Sequence, residues 1–216
     1  MITSYKEELM RVTLPPPELQ DSDSLVHCIL SRRSIREYSD GALPLSVLSQ
    51  LLWAAQGVTD ANCKKATPSA GGLYPLHIRL VVSRVTGLAA GLYDYHGDSH
   101  SLEQVESGVP HDMHSIGIGN QPWLSEASVV MGVAATLEEA TQHFYSQHPL
   151  GERGTRYVYM ESGALAQNVH LQSTALGVGF VLVAGFDDSL TKRALKLADN
   201  LAPTALLCIG HLDASF

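Results

Sequence analysis

The run TRYVYMESGALAQNVHLQSTALGVG, residues 155–179, holds no proline, and Gly163 is its one breaker before Ala175. Val158, Leu165, Val169 and Leu176 recur within it at roughly helical spacing. This predicts a helix over 155–175, the longest in the chain, with Gly177 as its C′ residue. Downstream, Val181 to Val183 reads as a short strand, Ser189 to about Leu197 as a helix and Ala205 to Ile209 as a last strand. Upstream, Val129 to Ala134 is a strand, and so is the alternating, β-branched run Ile78-Arg79-Leu80-Val81-Val82. Gly91 to Tyr95 and Ser101 to Val105 flank the turn-forming His96-Gly97-Asp98-Ser99 and predict a hairpin. Helices and strands do not alternate regularly along this order, so a mixed α+β fold is expected rather than a doubly wound sheet.

Toward the N-terminus, Pro15-Pro16-Pro17 and the polar run from Gln20 to Ser24 read as an extended arm over residues 1–23. Asp23 or Ser24 would cap a first helix, which runs out at Arg32-Arg33-Ser34-Ile35-Arg36. Leu43-Pro44 opens a second, in which Leu45, Leu48, Leu51, Leu52 and Ala55 share a face until Gly57. Residues 58–75 are expected to form a long loop. Residues 24–216 read as one domain, because 216 residues at 45% hydrophobic and 17% charged can bury a sizeable single core. Fourteen Lys+Arg against 22 Asp+Glu leave a net charge of −8, which excludes a broad cationic face for nucleic acid or anionic lipid. Cys28, Cys63 and Cys208 form neither a disulfide framework nor a thiolate metal site. The N-terminus has no apolar secretory core, and residues 127–137 and 176–186 are too short to span a bilayer, so a soluble cytoplasmic protein is expected.

Three of the fourteen basic residues, Arg32, Arg33 and Arg36, fall within five positions of an acidic chain. They read either as an anion site, with the Ser34 hydroxyl adding a donor, or as a solvated helix end favoured by the macrodipole. Arg32 and Arg36 would share a face if the helix continued through them. Pro68-Ser69-Ala70-Gly71-Gly72-Leu73-Tyr74-Pro75 lets backbone approach a flat ligand, and is also an ordinary tight loop. Leu182-Val183-Ala184-Gly185-Phe186 is a strand end with two small residues. His111, His114, His143 and His148 lack the carboxylate or thiolate partners of a recognisable metal pattern, so no metal is expected. Gly117-Ile118-Gly119 and Gly177-Val178-Gly179 each lack the third glycine of a dinucleotide fingerprint, and neither GxxxxGK[ST] nor GxSxG occurs.

In this order and spacing the segments resemble the nitroreductase family of FMN enzymes, and especially its branch related to azoline dehydrogenases of peptide maturation. The likeness runs from about Leu25 to Gly210. It rests on Arg32 to Arg36 with Tyr38, Pro68 to Pro75, Glu161-Ser162-Gly163-Ala164-Leu165-Ala166-Gln167-Asn168 followed by Leu176 to Gly179, and Ala184-Gly185-Phe186. The resemblance implies a sandwich with a central, mostly antiparallel sheet flanked by helices, forming an intertwined homodimer with FMN sites built from both subunits. It implies that Arg32 and Ser34 hold the FMN phosphate, that Arg33 contacts the ribityl or ring side, and that Arg36 lies near N1/O2. Pro68, Ser69, Ala70 and Gly71 of the other subunit would line the pyrimidine side, with Val183, Ala184 and Gly185 near N5, and Tyr74 would border the substrate space. The chemistry implied is hydride transfer from transiently bound NAD(P)H through FMN to a flat electron-poor acceptor, nitroaromatic or quinone. The alternatives are dehydrogenation of a peptide or heterocycle, or a flavin-binding dimer without turnover. Two departures are visible. His211 follows Gly210 where the family places a Lys or Arg near the phosphate. Residues 149–154, Pro-Leu-Gly-Glu-Arg-Gly, lack the Lys-Tyr pair of azoline dehydrogenases. Residues 106–126 and 137–154 are the expected pocket walls.

Overall fold

A computed structural model describes residues 10–20 and 24–212. Its strands are β1 (Arg11–Thr13), β2 (Leu43–Pro44), β3 (Leu76–Val82), β4 (Val85–Thr86), β5 (Gly91–His96), β6 (Ser101–Ser107), β7 (Val129–Ala135), β8 (Gly179–Val183) and β9 (Ala202–Gly210). Its α-helices are α1 (Leu25–Ser31), α2 (Leu45–Gln56), α3 (Trp123–Glu126), α4 (Leu137–His143), α5 (Arg153–Ala175) and α6 (Asp188–Ala194), with 3-10 turns at Ala70–Gly72 and Met113–Ile116.

Seven strands form one sheet in the order β1-β6-β5-β3-β7-β9-β8, every neighbouring pair antiparallel. The two-residue period of a strand sends alternate side chains to opposite faces. On β7, Val129, Met131, Val133 and Ala135 join Leu48, Leu51 and Leu52 of α2 and Leu165 and Val169 of α5 in the larger core. Val130, with Leu206 and Cys208 of β9, faces the other way, onto Met113, Ile116, Leu124 and Leu195. The result is a three-layer α+β sandwich. Strands β7 and β9 are covered on both faces, which is why each reads as a nearly continuous apolar run.

Helix α5 starts at Arg153, two residues before the sequence places it, and Gly177 takes the left-handed φ of 64° expected of a C′ glycine. Gly154 lets α5 meet α4 closely, since a Cβ there would strike the backbone of Ala140 and Thr141. Ser24 caps α1, its hydroxyl accepting from His27 N at 3.1 Å; the alternative cap, Asp23, lies outside the described residues, as do residues 1–9 of the arm. Residues Arg11–Thr13 of the arm pair with β6 at the sheet edge.

The helix does not continue through the arginines. It ends at Ser31, and Arg32 turns extended (φ −53°, ψ 134°), so Arg32 and Arg36 share no helical face. The physical reason is that Ile35 N donates to Phe180 O at 2.8 Å, tying the segment to β8 instead of to the preceding turn. The predicted helix over 189–197 is shorter, Asp188–Ala194, because its Asp187 cap sets the start and Lys196 adopts a φ of 48°. The expected walls are partly helical, holding α3 and α4.

Candidate active site

Arg32, Arg33 and Arg36 line the segment that leaves α1. Among the described residues none of the three has a carboxylate within ion-pair distance. Arg33 bends back, its Nη1 donating to Arg32 O at 2.8 Å and Leu30 O at 3.1 Å, so it closes the end of α1. Arg36 lies 5.4 Å from the centroid of the Trp123 ring, a cation–π geometry that fixes its direction. The Ser34 hydroxyl is exposed and, among the described residues, donates to no protein group. His170, on α5, anchors the segment from below. Burial holds it below the usual histidine value, with Arg32 acting in the same direction, and its Nε2 donates to Arg33 O at 3.0 Å while its ring stacks on Phe180 at 4.4 Å. His211 is exposed next to the same segment; its Nδ1 lies 3.1 Å from Ser39 Oγ, and its carbonyl accepts from Ser39 N.

At the far end of β8, Ala184 and Gly185 are exposed. The Gly185 carbonyl accepts from Ile118 N at 2.8 Å and from Gln121 Nε2 at 2.6 Å, which pins the carbonyl side of this turn. Among the described residues the amides of Ala184 and Gly185 find no protein acceptor, leaving two N–H donors at the surface. Val183 differs from its neighbours, because its side chain is buried in the second core and only its backbone is available to a ligand.

The 68–75 loop makes its turn with left-handed backbone at Gly71 (φ 60°), Gly72 (φ 68°) and Tyr74 (φ 51°). Tyr74 N donates to Ser69 Oγ at 2.8 Å, and the Tyr74 hydroxyl accepts from Lys65 N at 3.3 Å, so this tyrosine also has a part in folding the loop. Pro68 is exposed, Ser69 and Ala70 are half-buried, and Gly71 sits against His143 and Phe144 of the α4 region. Asn168 of α5 secures the approach to the loop by donating to Ala54 O, Ala66 O and Thr67 Oγ1. Asn168 and Gln121 are positioning residues that composition alone does not single out, although Asn168 lies in the Ala166-Gln167-Asn168 motif.

Within one chain the arginine segment and the Ser69 loop do not meet. The first contacts α5 at His170 and the second faces it at Glu161, nine residues away, which is about 14 Å along a helix axis. Among the described residues no cluster of His, Cys, Asp or Glu is arranged to hold a metal ion, and no helix is long and apolar enough to cross a membrane.

An antiparallel sheet between two helical layers, with a basic segment at one end of an edge strand and a small-residue turn at its other end, defines a nitroreductase-type sandwich. The sequence profile of the nitroreductase family matches residues 29–211, and the chain belongs to that family, whose members are oxidoreductases. A protein of Methanocaldococcus jannaschii assigned by name to the nitroreductases is 37% identical over 205 residues, covering 94% of this chain and 98% of the relative. Among solved structures, one assigned to the nitroreductases from Ralstonia eutropha JMP134 superposes with a TM-score of 0.79 at 25% identity, over 94% of this chain and 90% of the other. The microcin synthetase McbBCD complex of E. coli shares the fold, with a TM-score of 0.69 at 23% identity, over 96% of this chain and 79% of that one.

Proposed function

We propose that the chain is an FMN-dependent NAD(P)H oxidoreductase that reduces flat, electron-poor acceptors of the nitroaromatic or quinone type, working in the cytoplasm as a homodimer. In this reading residues 24–216 form one catalytic domain behind the arm of residues 1–23. The observation that carries it is that Arg32, Arg33 and Arg36, three cations within five positions, have no carboxylate partner among the described residues in a chain of net charge −8. Cations held together without acidic partners repel one another, and an anionic ligand relieves that repulsion.

The residues fit FMN. Arg32 and the free Ser34 hydroxyl would hold its phosphate, with His211 at the same end of the sheet, and Arg33 would face the ribityl side while closing α1. Arg36, fixed over Trp123, offers a rigid positive charge for the N1/O2 edge, where reduction leaves negative charge. The unpaired amides of Ala184 and Gly185, with the Val183 backbone, would face N5. When bound, FMN supplies the hydride-relaying centre, so the chain needs no nucleophile of its own. Its own residues bind, orient and exclude water, with Tyr74 at the border of the substrate space.

A second copy completes the site. That Arg32–Arg36 and Pro68–Gly71 share no hydrogen bond or ion pair among the described residues of one chain supports a loop supplied by a partner. The surface for one is present: α1 turns only Cys28 inward and exposes Leu25, Val26, Ile29 and Leu30, while α5 exposes Tyr159 and Met160 beside Gly163, which has open space around it. Light scattering and the flavin content of the purified protein test this reading together. A dimer carrying about one FMN per chain, reduced by NAD(P)H without oxygen, supports it. A bound flavin that NAD(P)H never reduces leaves a binding protein without turnover.

A further inference from the structure

A cavity of about 420 Å³ opens where the end of α2, the start of β3 and the turn between β5 and β6 meet. That volume lies in the range of small-molecule sites. Part of the lining is apolar: Leu76 and Ile78 are buried, and the rings of Tyr74 and Tyr95 stand beside them.

The polar part of the lining has donors that the protein leaves unmatched. Gln56 is 4% exposed, and among the described residues its Nε2 has no hydrogen-bond partner. A buried amide N–H in that position costs free energy that an acceptor on a ligand would recover. The side chain of Lys65 is only 18% exposed, yet its Nζ meets a carboxylate only at 3.7 Å, on the largely exposed Asp98. That separation exceeds a hydrogen bond, and the pair is worth little in solvent. The Tyr74 hydroxyl accepts from Lys65 N at 3.3 Å, which leaves its own hydrogen to donate. Arg11, at the rim, reaches Glu103 only at 3.7 Å.

Charge and shape together select the ligand. With histidines counted as neutral, the lining carries two cations, Arg11 and Lys65, against the one carboxylate of Asp98, so it is positive within an acidic chain. A cationic ligand would meet the Lys65 ammonium without relieving it. Inorganic phosphate would accept from the same donors but has no body to cover Leu76, Ile78 and the two rings. A carboxylate on a compact apolar body satisfies both parts of the lining, since its oxygens accept from Lys65 and Gln56 while its body removes apolar surface from water.

We propose that this cavity binds a small monocarboxylate with an aromatic or branched aliphatic body, its carboxylate held by Lys65 and Gln56 and its body lying against Leu76 and Ile78. The site shares only Tyr74 with the residues assigned to the flavin reaction, and it stands whether or not the chain binds FMN.

Benzoate is the probe, titrated into the full chain at neutral pH and low salt and followed by protein amide NMR. Benzoate is expected to shift the side-chain amide of Gln56 and the backbone amides of Tyr74 and Gly97, and to saturate. Lys65→Gln should weaken it about 10- to 100-fold, as loss of a charged hydrogen bond implies, and Gln56→Met about 3- to 10-fold. Asp98→Asn should tighten it about two- to fivefold by removing the competing carboxylate, a gain that a damaged fold does not produce. Benzamide, which lacks the charge, and inorganic phosphate, which lacks the body, should each bind at least about tenfold more weakly than benzoate. Thermal melts establish that each variant is folded, and if Lys65→Gln is not, Asp98→Asn and Gln56→Met decide. Benzoate that leaves these three amides unshifted, that binds Lys65→Gln as it binds the wild type, or that binds Asp98→Asn more weakly overturns the proposal. So does benzamide or phosphate binding as tightly as benzoate.

Discussion

Asn168 gives the sharpest energetic prediction, because one amide group holds two backbone segments against α5. Its Nδ2 donates to Ala54 O at 3.3 Å, Ala66 O at 3.2 Å and Thr67 Oγ1 at 3.3 Å. Two hydrogens serve three acceptors, and the distances exceed the usual optimum of about 2.9–3.0 Å. Each contact therefore falls at the lower end of the ordinary 0.5–1.5 kcal/mol, for a total of about 2 kcal/mol. Thr67 keeps its own bond to Ala55 O at 2.7 Å, so the loss is confined to the amide. Asn168→Ala should lower the unfolding free energy by about 2 kcal/mol and Tm by about 4–8 °C in a chain of this size. The assay is equilibrium urea unfolding of the FMN-free protein, beside a thermal melt. Asn168→Asp keeps the shape but sets a carboxylate against two carbonyls, so its pKa in the folded state would be raised. Such a group costs stability as pH rises through that value, and Asn168→Asp should be more destabilised at pH 7 than at pH 5. An Asn168→Ala protein within about 0.5 kcal/mol of wild type, or an Asp variant indifferent to pH, would refute this reasoning.

The other predictions concern binding, packing and pH. Arg32→Ala and Arg36→Ala should each weaken FMN binding about 10- to 100-fold, as the loss of one charged hydrogen bond implies; Arg33→Ala should in addition destabilise the fold, because Arg33 closes α1, and fluorescence titration with parallel melts separates the effects. Gly154→Ala should cost about 1–3 kcal/mol by forcing α4 off α5, whereas Gly163→Trp, with open space in the single chain, should leave the fold intact and convert the dimer to monomers on light scattering. His77, His100 and His170 are each held below the ordinary value of 6.5, with burial the largest cause. The folded state then binds fewer protons than the unfolded one, so stability is full above 6.5 and falls as pH drops below it; His170→Gln should reduce that acid-side loss in urea titrations at successive pH values.

Much of the fold is legible in the sequence because burial and periodicity coincide. Helix α5 shows an apolar recurrence without a strong breaker, and β3, β5, β6, β7 and β9 show alternation or continuous apolar runs. The strands β7 and β9 extend beyond their predicted limits because both faces are covered, so small end residues such as Ala202 and Gly210 are still paired. What the pattern does not show is structure set by tertiary contact. The short helix α4 exists because Ala140 and Phe144 pack on α5 at Gly154 and Tyr157, and β1 exists because an edge strand offered it hydrogen bonds. At the candidate site the arginines stand out by charge alone. That Ile35 bonds to β8 and so ends the helix, and that Gln121 pins Gly185, are contacts between residues far apart in sequence.

The central claim is that the arginine segment of one subunit and the Ser69 loop of another enclose FMN that NAD(P)H reduces. The most direct measurement is the visible spectrum of the freshly purified protein, followed by anaerobic NAD(P)H addition and identification of the chromophore released by heat. The account predicts flavin bands that bleach on addition, and release of FMN at about one per chain. A colourless protein that takes up no added FMN would contradict it.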